Sequence, residues 1–140
     1  MALDTRKWFD RTQPQTLQIA TWLLYINAFF GLVDLIDTNG WLGVARVVHG
    51  GIGLLVGIAI VAAYIAGAFL MANERKIGYV LAVVAAFSPF LLRFWLLSDT
   101  DASLLDKVTG GRTLSFIFEV ALCALLLHPQ SRDHQRIWFR

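Results

Sequence analysis

The chain has 140 residues, 57% of them hydrophobic and 16% charged, with a formal net charge of +2. A soluble domain of ordinary composition carries about 25% charged residues, so this balance points away from that class and toward an integral membrane protein, and the length suits a single domain over residues 1–140. The single cysteine, Cys123, excludes an internal disulfide and any CxxC redox pair.

In chain order, residues 1–17 are mostly polar. They show neither a short apolar core nor a small-residue cleavage site, so no cleaved signal peptide is expected. Thr16 is a candidate cap for the helix that follows. A first span is expected over 18–36, closed by Asp34 and Asp37 and by an Asn39-Gly40 turn signal, with Trp41 as an interfacial anchor. A second span over 43–71 would be roughly 40 Å long as one helix, longer than the ~30 Å hydrocarbon core, so it must tilt or protrude. A charged turn over 72–76 leads to a third span over 77–97, with Pro89 inside. Proline frees the carbonyl four residues earlier, on Ala85, which predicts a kink; Ser88 is placed to satisfy that freed group. A polar loop with Asp99, Asp101 and Asp106 precedes a short fourth span over 113–127, and the segment after it is basic. The expected fold is all-α, a bundle of four transmembrane helices.

Charge sets the expected orientation. The two terminal segments and the middle turn hold Arg6, Lys7, Arg11, Arg75, Lys76, Arg132, Arg136 and Arg140, eight of the twelve cations. The positive-inside rule then puts both termini in the cytoplasm and the protein in the cell membrane, as a multi-pass inner-membrane protein. Each terminal segment carries a Trp-Phe pair among basic residues, Trp8-Phe9 and Trp138-Phe139, expected at the cytoplasmic interface against anionic lipid.

Charged side chains at membrane depth are costly and usually face the bundle interior or a cavity. Antiparallel threading brings Asp34, Arg46, His49, Arg93 and Glu119 to a similar depth in the outer half. Residues three, four and seven apart share a helix face, which aligns Asn27 and Gly31 with Asp34, and Ser115 with Glu119. The same spacing aligns Gly50, Gly53 and Gly57 below Arg46 and His49, as a close-packing surface. The expected pairs are Asp34 with Arg46 or His49, and Arg93 with Glu119. The cluster is read in two ways: ion pairs that fix helix register, or a polar cavity that binds a small ligand or relays protons. His49 and His128 fall at opposite faces and so cannot share one haem. The glycines have no preceding strand and no nucleotide-binding context. No metal set and no cofactor are expected. Eight cations split over three segments are explained by topology without nucleic acid.

At Ala72–Tyr79 and His128–Arg140 the chain resembles small four-helix membrane proteins of high-GC Gram-positive bacteria, and in size and layout it is similar to the DoxX-like group. The resemblance implies a four-helix membrane protein and carries no catalytic residues onto this sequence. The expected function is therefore a non-catalytic polytopic membrane protein, either an accessory subunit or a self-associating bundle, with the lipid bilayer and a membrane protein or second copy as partners. The alternative is a small-ligand, ion or proton binding or transport protein that uses the outer cluster. An intramembrane enzyme with Glu119 and His49 as acid and base has no nucleophile or metal to accompany it.

Overall fold

The structure, a computed structural model, describes residues 4–37, 40–98 and 113–140, without the side chains of 113–115. Every regular element among them is helical: α1 Gln15–Ile36, α2 Trp41–His49, α3 Gly51–Ala72, α4 Lys76–Leu97, α5 Thr113–Leu127 and α6 Pro129–Trp138. The predicted polar loop over 99–112 and the Thr38-Asn39 part of the first turn lie outside the described residues.

Three helical stretches, containing α1, α3 and α4, are long and apolar enough to cross a membrane, and Phe116–Leu127 within α5 is a shorter apolar helix. The 22-residue helices α1, α3 and α4 are each roughly 33 Å long. That matches a ~30 Å hydrocarbon layer. The 15 residues of α5 span only roughly 22 Å. In the packing order, α3 lies between α1 and α4, and α5 rests on α1 and α4.

The single helix expected over 43–71 is two helices. Gly50 has φ +60° and ψ −126°, which ends α2 and starts α3 in a new direction. Only glycine reaches that conformation cheaply. With no heavy atom of the described residues within 4 Å of a Cβ placed on it, Gly50 is a hinge and not the packing residue expected. Gly53 and Gly57 do pack. A Cβ on Gly53 would collide with the backbone of Ala45 in α2, and one on Gly57 would press on Leu35 of α1 at 2.6 Å. The α2–α3 turn therefore folds back on itself because Gly53 lets the two backbones touch. The reversal divides the long second span foreseen and leaves a 22-residue α3.

α4 runs through Pro89 as one helix. The Ser88 hydroxyl donates to the Ala85 carbonyl at 2.6 Å, the acceptor that proline leaves without its amide. α1 begins after Pro14, which has no side-chain cap, so Thr16 is not the cap expected. Its hydroxyl lies 2.7 Å from that of Ser131 in α6. Ser131 gives its own proton to the Leu125 carbonyl, so Thr16 is the donor of that pair.

The two ends of the bundle differ. At the terminal end, residues 4–14, the α3–α4 turn and α6 close over the helices. The Arg140 amide donates to Glu74 O at 2.8 Å, and the Lys76 amide to Arg140 O at 2.9 Å. Asn73 accepts from the Asp4 amide and donates to Lys7 O, while Gln13 donates to Met71 O. Below this layer Leu17, Ala20, Leu24, Tyr64, Ala68, Met71, Leu122, Leu126 and Phe139 form the larger core. At the distal end a smaller core joins Leu35, Leu42, Ala45, Val61 and Leu92 of α1–α4, with no described residue of α5. Phe139 is buried in the terminal core, not laid at an interface as expected, whereas Trp8 and Trp138 are exposed.

Candidate functional site: a cavity at the distal end

Where α5 drops out of the distal core, a cavity of about 520 Å³ opens between α1, α3, α4 and α5, with α2 across its end. Ligand sites are typically 300–1,000 Å³, mainly apolar, with a few placed polar groups. Leu23, Phe30, Trp41, Leu42, Ile60, Tyr64, Pro89, Leu92 and Phe118 supply most of the wall, and Asn27, Asp34, Arg93 and Glu119 supply polar groups.

Arg93 is the best-defined of these. It is 2% exposed, among the largest fully buried side chains. Its Nη1 donates to Glu119 Oε1 at 3.0 Å and its Nη2 to Oε2 at 2.6 Å, a two-pronged bridge from α4 to α5. The guanidinium also lies 5.1 Å from the centre of the Phe90 ring, within range of a cation–π contact. Fork geometry suits arginine to a buried carboxylate, because two parallel hydrogen bonds replace two lost to water.

Asn27 and Asp34 project from α1 toward the same space, as their spacing of seven requires. The Asn27 amide donates to Leu23 O at 2.7 Å within its own helix. Among the described residues nothing donates to its carbonyl oxygen. Asp34 is held against Gly40, where a Cβ would collide with its carboxyl group. The Tyr64 ring is buried in the wall.

The structure thus brings Asn27, Asp34, Arg93 and Glu119 to one cavity and leaves Arg46 and His49 outside it. Arg46 donates to Ile36 O at 3.1 Å, and His49 is exposed, stacked on Trp95 at 4.2 Å with 15° between the rings. The break at Gly50 is the reason, since it turns α2 away from the line of α3. The side chain of Ser115 lies outside the described residues. Tyr64 went unnoticed in the sequence, although continuing the Gly53–Gly57 face by seven residues reaches it. Phe30, Trp41 and Phe118 carried no signal, because an apolar residue in an apolar span does not reveal whether it meets lipid or a cavity.

A second cluster lies at the terminal end. Asp10 is buried, 3.0 Å from Lys7 Nζ, and accepts from the Thr12 amide and hydroxyl. Burial pushes its carboxyl up, but the Thr12 bonds and Lys7 outweigh it and leave the carboxyl below its ordinary value of 3.8. His134 is half-buried against Trp138 and Phe139, and its enclosed Nε2 has no hydrogen-bond partner among the described residues. Desolvation lowers its pKa below 6.5 against the opposing pull of Glu74 and Asp10. His128 caps α6 by accepting from the Gln130 amide at 3.2 Å.

No protein-family model, no curated protein and no solved structure matches the chain.

Proposed function

We propose that the chain is a non-catalytic, four-span bundle of the cytoplasmic membrane that binds a small bilayer-borne molecule in its distal cavity. Both termini lie on the cytoplasmic side and the cavity in the outer half. The observation that carries this reading is the shape of the cavity. Its polar groups sit inside, while Ile26, Phe30 and Phe118 at its rim are 46%, 59% and 50% exposed, so it opens sideways between α1 and α5. A ligand dissolved in the bilayer reaches such a mouth without crossing water. The orientation rests on the eight cations of the segments that close the terminal end.

A second reading keeps the expected structural role: an accessory subunit or self-associating bundle in which Arg93–Glu119 only locks α4 to α5. The bidentate geometry of that pair is its support.

The readings separate in a native mass spectrum of the full chain released from lipid nanodiscs. Asn27→Trp places an indole in the cavity, and Leu23→Phe is a milder filling of the same space. The binding reading expects a discrete adduct on the wild type that both variants lose while their helix content stays intact. Identical adduct profiles for all three proteins would instead favour the structural role. Orientation is tested by labelling single cysteines from outside in a Cys123→Ser background. Thr38→Cys and Asp101→Cys should react and Asn73→Cys should not.

A further inference from the structure

We propose that the occupant of the distal cavity is an uncharged lipid with a free hydroxyl, of the diacylglycerol type. Its hydroxyl donates to Asn27, and its acyl chains leave between α1 and α5. This assignment rests on the reading of the cavity as a ligand site, and three features of the cavity select the chemistry.

The first is an acceptor without a donor. One N–H of the Asn27 amide donates to Leu23 O. Among the described residues nothing donates to its carbonyl oxygen, an acceptor on a half-buried residue of the cavity wall. A ligand hydroxyl supplies the missing donor. The second is charge. Arg93 and Glu119 use both carboxylate oxygens and both terminal guanidinium nitrogens on each other. Asp34 already has interactions of its own. An anionic head at Arg93 would stand beside the Glu119 and Asp34 carboxylates, and a cationic head would have to draw Glu119 from Arg93. Breaking a buried pair in this way leaves an uncompensated charge at low dielectric, so an uncharged head is favoured. The third is the mouth. Ile26, Phe30 and Phe118 line the cavity and are also exposed, so hydrocarbon chains continue from the cavity into lipid without a polar barrier.

The test is a titration of the full chain in detergent micelles, read by native mass spectrometry, with three probes: 1,2-dioctanoylglycerol, its methyl ether and dioctanoyl phosphatidate. The wild type should bind the alcohol saturably at one per chain. The ether should bind about five- to tenfold more weakly, the loss of one hydrogen bond. Asn27→Leu should weaken the alcohol by the same factor and leave the ether unchanged. Phosphatidate should bind at least tenfold more weakly than the alcohol. Equal binding of alcohol and ether by the wild type overturns the assignment, and that comparison needs no variant. Phosphatidate binding as tightly as the alcohol also overturns it. Either result leaves a ligand site of different chemistry. Absence of saturable binding by all three probes overturns the assignment too. The cavity as a site falls only if Asn27→Trp keeps the wild-type adduct profile.

Discussion

The two ends of this bundle solve the same packing problem differently. At the terminal end α5 contributes Leu122 and Leu126 to the larger core, and α6 with Phe139 and the α3–α4 turn seals it. At the distal end no described residue of α5 enters the core, and α5 is tied to α4 by Arg93–Glu119. Apolar packing fills space; an ion pair sets a separation and leaves space beside it. The difference teaches that, among the described residues, the ion pair joining two helices of the bundle stands where the bundle is open. That is what a site needs and what a bundle built only for stability would avoid.

The largest effect should come from splitting the pair. Arg93→Ala and Glu119→Gln should each cost about 3–5 kcal/mol in unfolding experiments in nanodiscs, because a buried charge loses its partner. Replacing both, as Arg93→Met with Glu119→Leu, should recover most of that loss. Wild-type melting of both single variants would remove the pair from the account. Next, Phe139→Ala in the sealed end should cost about 3 kcal/mol, whereas Phe118→Ala at the cavity mouth should cost less than about 1 kcal/mol. Equal losses would erase the contrast between the ends. Gly50→Ala should cost about 1–3 kcal/mol through backbone strain, because the added methyl meets no atom of the described residues.

The smallest effect is a pH dependence confined to the sealed end. The folded pKa of His134 lies below 6.5, so the fold favours the neutral ring. Its contribution to stability is fully present above pH 6.5 and is lost as pH falls through the folded value. Melting temperature should therefore drop on acidification from pH 7 toward 5, and His134→Phe should flatten that slope. Asp10 has the same sign but acts lower, below its ordinary 3.8. An unchanged slope in His134→Phe would show that the ring is not the group titrating.

The helices were legible because their signal is length and hydropathy. Expected spans over 18–36, 77–97 and 113–127 agree with α1, α4 and α5 to within three residues. Ser88 was legible because proline names the carbonyl it frees. The approach of Arg93 to Glu119 followed from depth and sign. The reversal at Gly50 was not legible, because a glycine in an apolar run reads equally as a packing surface or as a hinge, and only its backbone angles decide. That ambiguity misplaced Arg46 and His49 in the cluster. The C-terminal segment read as a basic surface tail. Ser131 and Phe139 gave no hint that they insert into the bundle, since Thr16 and most of the terminal core are distant in sequence.

The distal cavity is proposed to hold a selected molecule and not bulk lipid. Photo-crosslinking in native membranes tests it by placing p-benzoylphenylalanine at position 118, which lines the cavity, or at neighbouring position 117, where Ile117 is 57% exposed and is not part of the wall. The account predicts one dominant adduct at 118 and the phospholipid mixture of the membrane at 117. The same bulk mixture at both positions would contradict it.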